Sequence, residues 1–418
     1  MMTLGWAPSM TATTLFVVPR SMPMMLDLVD MSLTLQAACH RARGRFRGIR
    51  VDFGCPIGAA AGWVCRSGSA VAAGCAPYDP PPMTAARAPV PELQSAVDAV
   101  VPAMPIARLL GETLASVPPV EKPDGSPVTA ADYVLQAIVV AGLRARSADG
   151  RVPLLGEEHA DALVAARRPD VERLVVDAIR SALGWRTHAD ALRAIDGDEP
   201  RAGEPHWTID PIDGTKGFLL GAQCSICLAR IEDRNVTIGV LGCPRMGPRG
   251  DLSVRPQGPG VVYGASLGGG AFEFDAAGTA VVRLPSVSWG GGAVRWARSL
   301  NRSRNPQPSR LGPLLEELGP VTSDYMDSQC KYALVARGDA DLVVRLPRSP
   351  GHRECIWDHA SGTLIAAEAG AHVTDASGRA LDFSHGELLA ANAGILCAVP
   401  GLAGGIAGAV GSLAAGAA

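Results

Sequence analysis

In the stretch Trp207–Phe218, WTIDPIDGTKGF, Pro211 stands between Asp210 and Asp213 and keeps both carboxylates off a regular helix. Two aspartates three residues apart on non-helical backbone can be aimed by a turn at one point, together with the Ile212 carbonyl between them. Hard oxygen donors of that kind suit Mg²⁺, which takes carboxylates, carbonyls and waters rather than sulfur or imidazole. Gly214 removes a side chain where a phosphate would approach, and a helix starting near Thr215 would turn its free N–H groups toward it. A β-turn with an aspartate cap accounts for the same residues locally, so the motif alone leaves two readings open.

Charge narrows the class of partner. Residues 1–78 hold seven arginines, three aspartates and no lysine, a net of +4, which leaves −7 for the rest of a chain whose total is −3. An acidic body argues against a nucleic-acid polymer, whose phosphate backbone needs a basic face. Residues 1–82 carry seven of the eleven methionines and the run RARGRFRGIR, and they end in Pro80-Pro81-Pro82. They read either as an organelle transit peptide, placing the protein in a chloroplast or mitochondrion, or as sequence upstream of a start at Met83, leaving it cytoplasmic. Cys224-Ser-Ile-Cys227 alternates with apolar residues as a strand does and reads as core packing rather than a metal site.

From Val90 the pattern is globular. Helical spacing runs over Pro91–Leu114, over Pro127–Arg146 with Thr129 at the cap, and over residues 171–197. CSICLARI, VTIGVLG and GVVYGA read as strands, and SLGGGAFEF as a hairpin. The final 31 residues carry no charge and read as a strand at Leu388–Ala391, a terminal helix and a frayed tail rather than a membrane anchor. This patterning supports a mixed α and β fold.

Three further acidic positions have ordinary local explanations. Glu157-Glu158 in LLGEEHA sits at a strand-to-loop edge and reads as a solvated pair. Thr129-Ala-Ala-Asp132 reads as a capping box. Asp358 in CIWDHASGTLIAAEAG stands where a helix N-cap would.

Taken together and in order, EKPDGSPVTAADY, GEE, WTIDPIDGTKGF and IWDHASGTLIAAEAG resemble the lithium-sensitive, Mg²⁺-dependent phosphomonoesterase superfamily of inositol monophosphatase and fructose-1,6-bisphosphatase, over roughly residues 90–400. Lys216-Gly217-Phe218 after the DGT, together with YMDSQCKYALVARGDADLVVRLP, resembles its 3′(2′),5′-bisphosphate nucleotidase branch, which serves sulfur metabolism. The three lysines of the chain, Lys122, Lys216 and Lys331, all lie in these motifs, although Arg outnumbers Lys 35 to 3. A lysine kept against that bias suits a site needing a compact ammonium.

The resemblance implies an α+β fold, a layered αβαβα sandwich. An N-terminal α+β metal-binding half would span 83–285, an α/β half 286–400 and a Gly/Ala-rich tail 401–418. It implies two or three Mg²⁺ ions held by Glu157, Asp210, Asp213, Asp358 and the Ile212 carbonyl, with Asp132 assisting. Thr215 would orient the attacking water, and Asp132 and Glu157 would help to deprotonate it. Gly214, Thr215, Lys216, Ser303, Arg304, Ser328, Lys331, Arg345 and Asp358 would contact substrate, with Arg304 standing where relatives place a histidine. The implied partner is a small nucleotide bisphosphate, 3′-phosphoadenosine 5′-phosphate or its sulfated analogue, acted on by a monomer or homodimer with no membrane and no nucleic-acid polymer involved. An inositol or other sugar phosphatase is the alternative activity, and a catalytically silent nucleotide-binding regulator the alternative class.

Overall fold

The computed structural model describes residues 88–415 apart from 114–119, 122–126, 185–186, 248, 254–257, 300–306, 318 and 350. The 1–82 segment, Lys122, Ser303 and Arg304 therefore lie outside the described residues. Helix α1 (Pro91–Val100) begins with proline in its first turn, where the missing N–H costs nothing. The expected single helix over Pro91–Leu114 is in fact two, because Pro102 interrupts it ahead of α2 (Ala103–Thr113). The apolar run Pro91–Gly111 is long enough to cross a membrane by length and composition. Its Leu93, Ala96, Val97 and Val100, however, are wholly buried against protein.

The short strands β1 (Val120–Glu121) and β2 (Pro127–Val128) pair with each other. Helix α3 (Ala130–Arg144) follows, capped by Thr129 as expected. Then come β3 (Leu154–Gly156), α4 (Ala160–Ala165), α5 (Pro169–Leu183) and α6 (His188–Ile195). Gly184, at φ 68°, ends α5 and divides the helical stretch expected over 171–197. Strand β4 (His206–Asp213), helix α7 (Thr215–Leu219), β5 (Ser225–Glu232), β6 (Asn235–Cys243), β7 (Val261–Ser266), β8 (Gly270–Asp275) and β9 (Ala280–Arg283) complete a seven-stranded sheet ordered β3 to β9. The expected hairpin joins β7 to β8.

The second half contributes β10 (Val294–Arg298), α8 (Gln307–Glu316), β11 (Val321–Tyr325), α9 (Cys330–Arg337), β12 (Leu342–Arg345), α10 (Ala360–Glu368), β13 (His372–Thr374), β14 (Ile395–Ala398) and α11 (Ala403–Ala415). Its five-stranded sheet runs β11-β10-β12-β14-β13, with β10 parallel to both neighbours. The strand expected at Leu388–Ala391 is absent. That segment turns, with Leu388 making one isolated bridge to Cys355, and the last strand is Ile395–Ala398. The terminal helix expected in the Gly/Ala-rich end is α11, whose Ile406 and Val410 are buried in the core.

Packing gives five layers. Helices α1 and α3 cover one face of the large sheet, α9 and α10 lie between the sheets, and α8 and α11 pack beyond the small sheet. Alternation along β5 shows why the large sheet is apolar on both sides. Ile226 and Leu228 face the N-terminal helices, while Cys227, Ala229 and Ile231 join the core shared with the second half. Helix α10 approaches β6 until its backbone replaces a side chain. A Cβ on Gly239 would stand 2.8 Å from the Ser361 carbonyl oxygen and 3.1 Å from its Cα. We expect Gly239→Ala to cost about 1–3 kcal/mol, because two packed backbones must separate. Denaturant unfolding checks this, and an unchanged midpoint would contradict the close approach.

Candidate active site

Strand β4 explains how two aspartates three residues apart reach one place. Residues at that spacing in a regular strand face opposite sides. Here Asp210 pairs with Cys227 and Asp213 with Ser225, so the register shifts between them. Pro211, which cannot donate to a ladder, lies within that bulge. The backbone is thus a bulged strand end rather than the expected turn, and the Ile212 N–H donates back to Asp210 Oδ1 at 3.0 Å. Gly214 then adopts φ 85°, with space for a Cβ closed off by Ser328 Cβ at 3.1 Å. Helix α7 begins at Thr215, whose hydroxyl donates to the Ile212 carbonyl at 3.1 Å.

Parallel pairing of β3 with β4 sets Gly156 against Ile209 and carries Glu157 to Asp210. The solvated glutamate pair expected here does not occur. Glu157 is half-buried on a cavity wall, while Glu158 is buried and its backbone is clasped by the Gln136 amide. Asp358 arrives from the other half of the protein, in the turn before α10. It is not the N-cap, a position held by His359.

The carboxylate oxygens of Asp210, Asp213 and Asp358 lie within 4.8 Å of one another, with Glu157 hydrogen-bonded to Asp210. Burial raises the Asp210 carboxyl well above its usual range, and the charges of Glu157, Asp213 and Asp358 raise it further. Burial and then Asp358 push Asp213 up to about 7, against Lys331, the Gln329 N–H and Arg345, which pull it down. Asp358 is likewise raised by burial. Carboxylates crowded this way fit a hard divalent cation, which would relieve both the repulsion and the lost hydration, and the set contains no thiol or imidazole. A second cluster, Glu354, Asp358 and His359, adds an imidazole, but its Glu354 already pairs with Arg345.

The same cavity, of 450 Å³, is also lined by cations. Lys331, in the first turn of α9, donates from Nζ to the Ser328 carbonyl at 2.6 Å. Ser328 itself adopts φ 69°, a strained conformation for a residue with a side chain, and its hydroxyl accepts from the Cys330 N–H. Arg345 lies at the end of β12, and Lys216 is exposed at the rim. Ile212, Gly214 and Thr215 also line the cavity.

Asp132 is not among the residues that line this cavity. Its Oδ2 accepts from the Thr129 N–H at 2.8 Å and the Thr129 hydroxyl at 2.6 Å, so the local capping box uses the carboxylate that the resemblance assigned to catalysis. Two residues escaped the sequence reading. Gln329 donates its backbone N–H to Asp213, while its side chain accepts from Ser361 and Gly362 and donates to the Trp357 carbonyl at 2.6 Å. Glu354 lies on the cavity wall beside Arg345. Neither has a local pattern that marks it, since both act across the fold. Cys224 and Cys227 are buried and free, as core residues.

The inositol monophosphatase family model matches residues 116–410, which span all of these elements. The chain belongs to the inositol monophosphatase family. Among curated relatives, it is 34% identical over 323 residues to 3′,5′-bisphosphate nucleotidase 2 of Arabidopsis thaliana, covering 73% of this chain and 91% of that one. It is also 34% identical over 308 residues to the 3′(2′),5′-bisphosphate nucleotidase of Emericella nidulans, covering 67% and 86%. Of the solved structures, a Thermotoga maritima IMPase shares the fold at a TM-score of 0.53 and 19% identity, covering 78% of this chain and 99% of that one. The five layers are thus this family's fold.

In this family member the crowded carboxylates have a measurable consequence. Asp213 titrates near 7 when folded against about 3.8 as a free side chain. Its stabilising protonated form is therefore fully present below about pH 4 and lost as pH rises through about 7. In a chelator, stability should decline across that window, and Asp213→Asn should flatten the decline and raise the melting temperature near pH 8. Thermal melts at several pH values check this, and an unchanged slope in the variant would contradict the crowding.

Proposed function

We propose that this protein is a Mg²⁺-dependent 3′(2′),5′-bisphosphate nucleotidase that cleaves 3′-phosphoadenosine 5′-phosphate to AMP and phosphate, with 3′-phosphoadenylyl sulfate as a second substrate. One observation carries this reading. A single cavity is lined both by the carboxylates Glu157, Asp210, Asp213 and Asp358 and by the cations Lys331 and Arg345. A substrate with two separated phosphates fits both sets, whereas a monophosphate leaves the cations unused. The nucleotidase names of the relatives above support the same choice.

Asp210, Asp213, Asp358, Glu157 and the Ile212 carbonyl would hold two or three Mg²⁺ ions, all through oxygen. Bound there, magnesium neutralises the charge developing on the transferred phosphoryl group. Lys331, Arg345 and Ser328 bind the 5′-phosphate and ribose and so fix the 3′-phosphorus at the carboxylates. Thr215, tied to the Ile212 carbonyl, orients the attacking water. Glu157, on the cavity wall, accepts the proton of that water. Asp132 holds Thr129 and the start of α3. As the water oxygen bonds to phosphorus and the bond to the 3′-oxygen breaks, that oxygen takes up a proton from solvent, and no covalent intermediate forms. A monomer or homodimer free of membrane and nucleic acid suffices for this chemistry. The 1–82 segment, as a transit peptide, would decide the compartment and have no part in the reaction.

Phosphate release from 3′-phosphoadenosine 5′-phosphate and from inositol 1-phosphate tests the assignment. Asp213→Asn should lower turnover about a hundredfold or more with the fold intact. Wild-type rates in that variant would refute the metal site. Lys331→Ala should raise KM about tenfold for the bisphosphate and much less for inositol 1-phosphate. Equal effects on both substrates would refute the 5′-phosphate site. Lithium should inhibit the wild-type enzyme, and full activity at millimolar lithium would remove that property from the account.

A further inference from the structure

We infer that Glu354 is a positioning residue that acts on substrate through Arg345, locking its guanidinium so that both terminal nitrogens face the cavity. The inference rests on the nucleotidase reading for the identity of the ligand, but its geometry stands independently of it.

The Glu354 side chain is 3% exposed and is held on both oxygens. Oε1 accepts from Arg345 Nε at 3.1 Å and lies 3.4 Å from His352 Nε2. Oε2 lies 3.4 Å from His359 Nε2, and the other nitrogen of that ring lies 2.8 Å from the Tyr332 hydroxyl. The Tyr332 and His359 rings meet edge to face, with centroids 6.1 Å apart. The backbone is pinned as well, since the Leu389 N–H donates to the Glu354 carbonyl at 2.9 Å. A carboxylate fixed at both oxygens and at its backbone cannot swing with its partner.

The nitrogen that Glu354 engages is the important detail. By taking Nε, it leaves Nη1 and Nη2 of Arg345 for a ligand, the parallel pair of donors that a phosphate accepts from. A carboxylate on the Nη edge would have competed with that phosphate. Burial alone works against charge on Arg345, and Glu354 offsets it. Although burial opposes it, Arg345, His352 and His359 hold the Glu354 carboxyl well below the usual carboxylate range, so it stays ionised at neutral pH. Lys331 is held differently, with its Nζ donating to the Ser328 carbonyl and the charges of Asp213 and Asp327 nearby, and it provides a point charge where Arg345 provides direction.

Calorimetry with AMP in Mg²⁺ tests this in a double-mutant cycle. AMP carries only the phosphate assigned to Lys331 and Arg345, and it needs no turnover. Glu354→Ala should weaken AMP binding about tenfold in the wild-type background and less than about twofold with Arg345→Ala already present. Glu354→Gln keeps the volume and one acceptor oxygen, so it should lose only about threefold and bind AMP when the alanine variant folds poorly. Equal losses in both Arg345 backgrounds, or no loss in either Glu354 variant, would overturn the inference. Absence of AMP binding by the wild type would overturn it too. The nucleotidase reading is judged separately, by wild-type turnover of the bisphosphate, so the two can fail independently.

Discussion

Repulsion among buried carboxylates is the constraint on which this site depends. Asp210 and Asp213 come from the large sheet and Asp358 from the turn before α10, so the cluster exists only when the two halves dock. Folding must then bring like charges together in a poorly hydrated place, which is unfavourable unless protons or a cation intervene. The surroundings hold them there regardless. Gln329 ties Asp213 to the turn that carries Asp358, through its backbone N–H on one side and the Trp357 carbonyl on the other. The absence of side chains at Gly239 and Gly362 lets α10 settle closely enough on β6 and Tyr332 for this tie to form.

The cations follow a different rule. They are individually restrained, Lys331 by the Ser328 carbonyl and Arg345 by Glu354. Backbone strain supports the same end. Ser328 sits in the left-handed region beside Gly214, also left-handed, and the two segments touch at the cavity. A cavity with fixed charge of both signs selects a ligand by the distance between its phosphates, and a monophosphate satisfies only half of it.

Much of the fold could be read from the sequence where periodicity was strong. The strands β5 to β8, the helix after Thr129 and the helix at Thr215 follow directly from alternation, capping and glycine. The misreadings each have a local cause. Pro102 and Gly184 broke helices whose apolar spacing continued past them. Leu388–Ala391 has strand-like composition, but its backbone is taken by a bridge to Cys355. Asp210, Asp213 and Glu157 could be picked out because a proline or a strand end gave them unusual backbone. Glu354 and Gln329 could not, because their partners lie across the fold and nothing at neighbouring positions signals them. Asp132 shows the reverse case, in which a motif residue also makes the local hydrogen bonds of a helix cap.

Product identity tests the central claim most directly, because the account assigns the 3′-phosphate to the carboxylates and the 5′-phosphate to Lys331 and Arg345. With Mg²⁺ and 3′-phosphoadenosine 5′-phosphate, phosphorus NMR should show AMP and inorganic phosphate appearing together, with the 5′-phosphate untouched. Adenosine 3′-phosphate as the product would mean that the substrate lies the other way round and that Lys331 and Arg345 do not hold its 5′ end. No release from the bisphosphate, with turnover of inositol 1-phosphate intact, would contradict the account more deeply by leaving the cations without a ligand.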